Sequence, residues 1–156
     1  MTPIIAVDTL VEFIRPVVSE FELQTNKGTK KEPQVLAGWL PEKVAADKQQ
    51  VPDYPHVIVR FSESDSGNEE NVNVNLIAGT YSEDPQNGWR DSVNVLTRIK
   101  QALMETQTIG AFLIDQPIHI ELPEEQPYPQ WVAIMSIKLK CPAVQWAGGA
   151  LKDVYE

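Results

Sequence analysis

The sequence has few of the residues from which reactive centres are built. Cys141 is the single cysteine, and His56 and His119 are the two histidines in 156 residues. One cysteine excludes an intrachain disulfide and a cysteine-ligated zinc site. These three side chains could still form a nucleophile with its base, or a metal site with carboxylates. Cys141, however, falls in an alternating apolar pattern, which is typical of a small buried side chain.

Positive charge and long apolar runs are also scarce. Thirteen Lys and Arg stand against 22 Asp and Glu, which gives a net charge of −9 and disfavours nucleic-acid binding. No stretch approaches the length of a membrane-spanning helix, and MTPIIAVDTL lacks the order of a signal peptide. No glycine-rich phosphate loop follows a strand pattern. We therefore expect a soluble, cytosolic protein that binds neither membrane, nucleotide nor cofactor.

Alternating apolar residues predict most of a β-sheet. Val57, Val59 and Phe61 share one face of HVIVRF. The apolar residues of NVNVNLIAG share one face of the next segment, and the two read as an antiparallel hairpin. PIHIEL and the longer WVAIMSIKLKCP predict further strands. VLAGWLP predicts a short strand that ends at Pro41.

Two segments have the apolar spacing of helices. The first follows Asp8, a candidate N-cap, and Pro16 predicts a kink or a break near Arg15. The second begins at Trp89 and continues through Leu103. The sequence thus predicts an α+β fold, an antiparallel or mixed sheet with two helices packed on one face. We expect one domain over 1–156, with a helix and extension in 1–53 and a flexible tail at 147–156.

SESDSGNEEN, residues 62–71, is the most unusual stretch, because it carries four carboxylates and no cation between two strands. An EF-hand with Gly67 at its sixth position would need oxygen ligands at set positions and Glu at the twelfth. Serines occupy the ligand positions, Asn73 stands at the twelfth, and strands rather than helices flank the loop. A solvated or partner-facing loop is the favoured interpretation. Other carboxylates, such as Glu124 and Glu125, lie in proline-rich turns, and no motif indicates an enzyme.

Several motifs appear in an order that resembles a known family. They are YPHVIVRF, an acidic insert, VNVNLIAGTYSED, GWRDSVNVLTRIKQAL and PIHIELPEEQPYPQW. Over about the C-terminal two thirds, the chain is similar to the tail-completion, or tail-terminator, proteins of tailed phages and prophages. The resemblance implies a small α+β subunit that forms a ring, commonly a hexamer, where the tail meets the head. Its partners would be copies of itself, tail-tube proteins and head-connector proteins, in the host cytoplasm and then in the virion tail.

A closed ring needs two different patches on each subunit. The candidate interface residues are acidic side chains, basic side chains of the NKGTKKEP turn and one aromatic side chain near the C-terminus: Glu63, Asp65, Glu69, Glu70, Lys27, Lys30, Lys31 and Trp146. The acidic residues would either line a channel for DNA or contact a neighbouring protein. The alternative function is a small binding module with a ligand groove between helix 89–105 and the sheet. A hydrolase using His56, His119 and acids is a third hypothesis.

Overall fold

The computed structural model describes residues 2–25, 27–41 and 53–142, and the side chain of residue 142 is not among them. Trp146, the expected tail at 147–156 and most of the segment after Pro41 lie outside these ranges. None of the helices within them is long and apolar enough to cross a membrane. The elements in chain order are α1 (Pro3–Val18), β1 (Leu23–Gln24), β2 (Lys30–Lys31), β3 (Gln34–Ala37), β4 (His56–Ser66), β5 (Glu69–Tyr81), α2 (Trp89–Thr106), β6 (Thr108–Ile109), β7 (Phe112–Glu121) and β8 (Gln130–Pro142).

A mixed sheet organises these elements. Six strands follow the order β3-β4-β5-β8-β7-β6. The β3–β4 pair is parallel and the other pairs are antiparallel. β1 and β2 form a separate small hairpin. The predicted α+β fold with a mixed sheet is confirmed.

Both helices cover the same face of the sheet, as predicted. α1 packs on β3 and β4, while α2 packs on β5, β8 and β7. The alternating apolar residues of the strands point into this layer, and those at its centre are fully buried. Leu76 and Met135 lie directly opposite each other under the helices, and each has 0% of its surface exposed. The period-two pattern therefore identified the covered face correctly.

The first helix differs from the prediction. α1 begins at Pro3 because Thr2, not Asp8, is the N-cap: its hydroxyl accepts a hydrogen bond from the Ile5 N–H at 3.2 Å. The helix also continues through Pro16 to Val18. Proline lacks one N–H donor, but only two residues of helix follow it, so little of the hydrogen-bond ladder is lost. The predicted break near Arg15 is wrong.

The acidic stretch is strand rather than loop. β4 runs on to Ser66 and β5 starts at Glu69, so the turn is confined to Gly67 and Asn68. The pairing has a bulge at Ser62, after which Glu63 lies opposite Asn73. Phe61 was predicted to share a face with Val57 and Val59, which are fully buried, but 45% of it is exposed because it stands at the outer edge of the sheet.

The face opposite the helices, here called the open face, changes character along the strands. Near the start of β4, Ile58, Ile77 and Ile134 lie side by side on three neighbouring strands. Toward the turn at Gly67, asparagines of β5 take the place of isoleucine. The polar half of the sheet is therefore the half that carries the acidic residues.

Candidate functional site

The acidic tip, defined as Glu63, Asp65, Glu69 and Glu70, occupies the end of the β4–β5 hairpin. The bulge at Ser62 sets the alternation so that Glu63 and Asp65 lie opposite Asn73 and Asn71, on the open face. Both acids are exposed. The next strand, β8, runs alongside up to the pairing of Glu69 with Pro142. The tip is thus a supported sheet end with a fixed geometry.

Only part of the acidic charge is compensated. Glu63 accepts a hydrogen bond from the Asn73 side-chain amide at 3.1 Å. Glu69 lies 3.5 Å from the Lys140 ammonium, which Asp115 also approaches at 3.8 Å. Asp65 and Glu70 make no ion pair with any described residue. The tip therefore keeps a negative field that could act on a partner.

The basic turn, defined as the described residues 25 and 27–31, is built around the buried Thr25. The Thr25 hydroxyl is 2.8 Å from that of Thr29 and accepts hydrogen bonds from the N–H groups of Lys27 and Thr29. Gly28 has a φ of +80°, which an L side chain rarely adopts. This network holds Lys30 and Lys31 in β2. Burial lowers the pKa of the Lys31 ammonium, and the nearby Glu32 carboxylate opposes that effect.

The basic turn and the acidic tip lie at opposite ends of the sheet. Burial is the main reason why the pKa of the His56 imidazole is lowered, and the charges of Arg60 and Lys31 add to it, so Lys31 is close to the start of β4. The tip is at the end of the same 11-residue strand. At roughly 3.3 Å per residue, the two regions are about 30 Å apart. The structure does not bring the predicted acidic and basic residues together within one chain.

The outer edge beside β4 is stepped. β3 pairs with residues 56–59 of β4 and then stops. The rest of β4, from Arg60 to Ser66, has no strand on its outer side within the described ranges. We call this unpaired part of the edge the notch. It places the acidic residues of β4 at the border of the sheet.

An exposed tryptophan marks the step. The guanidinium of Arg60 lies 3.4 Å from the centre of the Trp39 ring and donates a hydrogen bond to the Gly38 carbonyl at 2.9 Å. Trp39 nevertheless has 71% of its surface exposed. Exposed tryptophans that are held in place are frequent interface anchors. This pair was missed because 21 residues separate its members in the sequence, and no local pattern links the VLAGWLP segment to the YPHVIVRF motif that contains Arg60.

A concavity of about 430 Å³ lies along β3. Arg15 and Lys31 line it together with Pro33, Val35 and Leu36. The Arg15 guanidinium reaches the Val35 carbonyl at 3.5 Å. Glu32 also lines it, and Arg15 pairs with Glu12 at 2.6 Å, so this edge carries charges of both signs beside an apolar surface.

The candidate catalytic side chains are not assembled. His56 is on β4 and His119 on β7, with β5 and β8 between them, roughly 14 Å across the sheet. Cys141 lies at the far end of β8, beside Glu70. In the part of the chain that the structure describes, no three His, Cys, Asp or Glu side chains are placed to hold a metal ion. The arrangement offers no nucleophile–base pair from these residues.

The expected groove between α2 and the sheet is a packed interface. Leu96, Ile99 and Leu103 each have 0% of their surface exposed and fill the space between the helix and the strands. A second concavity, of about 350 Å³, lies instead on the open face. Glu63 and Lys138 both line it, so its charges do not favour a ligand of one sign.

No family model matches this chain, and no curated protein matches it. The resemblance to phage tail-completion proteins therefore depends on the quoted motifs alone.

Proposed function

We propose that this chain is a structural subunit of a tailed phage or prophage that assembles into a ring and terminates or completes the tail where it joins the head. Its partners would be further copies of itself, tail-tube proteins and head-connector proteins. It would act in the host cytoplasm during assembly and then remain in the virion tail. No chemical reaction is part of this role.

One observation carries the proposal: each subunit has an acidic tip and a basic turn at opposite ends of one sheet. Patches that are complementary and distant cannot satisfy each other within the chain, so they favour contacts between chains. A contact between two different patches repeats around an axis and closes into a ring when its rotation allows. The motif series gives the same role from the sequence.

The acidic tip has three possible places in such a ring. It would meet the basic turn of a neighbouring copy, or point into the channel and repel the phosphates of passing DNA, or face a basic surface of the tube or the connector. Charge reversal of Asp65 and Glu70 separates these cases. It would prevent ring closure in the first case, give rings that retain DNA in the second and give rings that fail to join their partner in the third.

Electron microscopy tests the proposal directly. The purified chain is imaged alone and together with tail tubes from the particle that its genome encodes. We expect rings with a central opening at one end of each tube, and gold-labelled antibody against the chain only at the head-proximal end of complete tails. Absence of the chain from purified particles, or label along the whole tail, would contradict the proposal.

A further inference from the structure

We propose that the free chain forms a reciprocal dimer in which β3 of each copy fills the notch beside β4 of the other copy. The partner is a second copy of this chain, and the contact is antiparallel strand pairing between the two stepped edges. The inference goes beyond the proposed function, because it describes the subunit before it meets a tail.

The two parts of the stepped edge match in length. β3 has four residues, and beyond the Ser62 bulge the notch offers the four strand residues from Glu63 to Ser66. A twofold axis perpendicular to the sheet, passing through the point where β3 ends, would relate the two copies. Each β3 then lies beside the other copy's β4, and both contacts form at once.

The outer edge of β3 offers backbone amides, while its outward carbonyls are already engaged: that of Val35 accepts from the Arg15 guanidinium at 3.5 Å and that of Ala37 from the Trp39 N–H at 3.2 Å. The amides of Gln34 and Gly38 donate to the Pro55 and Val59 carbonyls of the β4 side, at 3.1 and 2.9 Å. Because the amides of a strand alternate in direction, those of Val35 and Ala37 point to the outer edge. Unpaired edges of this kind are templates for another strand.

Charge selects the antiparallel orientation. In that orientation the chain preceding β3, with Lys30 and Lys31, runs along the hairpin end of the other copy, where Asp65 and Glu70 lie. In a parallel orientation the hairpin end would instead meet the Trp39 end of β3, far from both lysines. None of these four side chains has an ion-pair partner among the described residues. The dimer would supply the missing partners twice, once at each contact.

The alternation of side chains restricts the register. Directly opposite residues of an antiparallel pair point to the same face. Leu36 is on the open face with Asp65, while Ala37 and Ser64 are on the helix face. The register that pairs Leu36 with Asp65 and Ala37 with Ser64 satisfies both faces. It sets Gly38 opposite Glu63, so the β3 residues opposite strand residues of the notch are Val35, Leu36 and Ala37.

The same contact cannot form within one chain. The notch begins where β3 ends, and both flank the same strand, β4. β3 would have to leave its parallel pairing with β4 to reach Asp65. Among the described elements, β3 therefore cannot fill the notch of its own chain.

The reciprocal dimer and the proposed ring would use the same surfaces in different arrangements. A reciprocal dimer occupies both patches of both copies, so no third copy can add. A ring needs each copy to contact two different neighbours. The dimer would thus keep free subunits from closing into rings before a tail is present, and the two states can be tested separately.

Disulfide trapping tests the register and the reciprocity together. The variant carries Cys141→Ala, Ala37→Cys and Ser64→Cys, which places the two thiols directly opposite each other across the proposed contact. Their Cα atoms would be about 4.5–5.5 Å apart, which is within the range for a disulfide. After mild oxidation, we expect most of the chain to migrate as a single covalent dimer on a non-reducing gel. The matched control carries Cys141→Ala, Ala37→Cys and His119→Cys, the last in a strand on the other side of the sheet, and should stay monomeric.

The other outcomes overturn the inference. A ladder of trimers and larger species would show that the contact is not reciprocal, while leaving a ring possible. A folded variant that remains monomeric, with both thiols reactive, would show that the edges do not meet. Neither result affects the outcome of the tail-end labelling, so the proposed function is tested separately.

A charge-swap experiment needs no cysteine. One variant has Asp65→Lys and Glu70→Lys, and the other has Lys30→Glu and Lys31→Glu. Each alone should dimerise about tenfold more weakly or worse, because like charges meet at both contacts. An equimolar mixture should recover a dimer containing one copy of each, since both of its contacts then pair opposite charges. Light scattering and native mass spectrometry measure the fraction of dimer and its composition. A mixture that stays monomeric would contradict the reciprocal arrangement. The control is Glu121→Lys, a charge reversal on β7 away from the proposed contact, which should dimerise like the wild type.

Discussion

Gly79 should be the least replaceable glycine of the described sheet. It lies directly opposite His56, and an added Cβ would be 2.5 Å from the His56 Cε1 atom, closer still to Nε2, and 2.9 Å from a ring carbon of Tyr54. The imidazole has little room to move, because it is 4% exposed and its Nδ1 is hydrogen-bonded to the Asp53 carbonyl at 2.8 Å. Gly79→Ala therefore forces two rings or the strand to shift.

The expected cost follows from two opposing effects. Overpacking of this kind costs about 1–3 kcal/mol, while alanine in a strand gains about 0.5–1 kcal/mol over glycine. Gly79→Ala should therefore destabilise the protein by about 1–2 kcal/mol, which corresponds to a fall in Tm of about 2–8 °C for a chain of this size. Gly67→Ala, where nothing lies within 4 Å of the added atom, should stay within about 0.5 kcal/mol of the wild type.

A double-mutant cycle decides whether the clash is the cause. Urea unfolding, followed by tryptophan fluorescence, is measured for Gly79→Ala, His56→Ala and the double variant. Removing the ring opens the space that the new methyl group needs, so the second substitution should cost little or be stabilising in the His56→Ala background. Equal costs of Gly79→Ala in both backgrounds would refute the reasoning.

Two further expectations concern burial. Desolvation holds the pKa of His56 below its ordinary value of 6.5, partly opposed by its hydrogen bond to the Asp53 backbone. As the pH falls, the His56 imidazole is therefore protonated in the unfolded chain before it is protonated in the folded chain. The contribution of His56 to the free energy of unfolding is complete above pH 6.5. Below pH 6.5 it should decrease, by at most about 1.4 kcal/mol per pH unit, until the pH passes the folded-state pKa. Urea unfolding at several pH values should show this slope and its absence in His56→Gln; identical slopes would contradict it. Leu103→Ala, at a fully buried position of α2, should lower the free energy of unfolding by about 2–5 kcal/mol. Met104→Ala, at a neighbouring position that is 41% exposed, should change it by less than about 0.5 kcal/mol. Similar changes for the two variants would mean that α2 packs differently.

The sequence predicted helices and strands correctly where one face of the element packs against the rest of the protein. Burial under the helices enforces the alternation of β5 and β8, and α2 shows its apolar stripe for the same reason. The acidic stretch was misread because it lies beyond that cover. Ser64 and Asp65 are held in β4 by pairing with β5, which pairs in turn with β8, and such distant pairing leaves no local apolar pattern.

Other features depended on contacts that a single sequence does not reveal. The parallel pairing of β3 with β4 joins segments separated by the stretch after Pro41. The stacking of Arg60 on Trp39 is equally remote. The start of α1 did have a local signal, since Thr2 before Pro3 is a regular N-cap with proline at the first helical position. It was missed because Ile4 and Ile5 are exposed and fall outside the apolar stripe.

Gly38 decides how much of β4 remains open to another molecule. Its φ of +84° turns the chain away from the sheet after Ala37, and an L side chain at this position would be strained. A residue that favours extended backbone would instead let β3 continue past Val59 and cover Arg60 and the acids with the protein's own chain. Within the described residues, this one backbone angle thus falls where β3 ends and where the outer side of β4 loses its neighbouring strand.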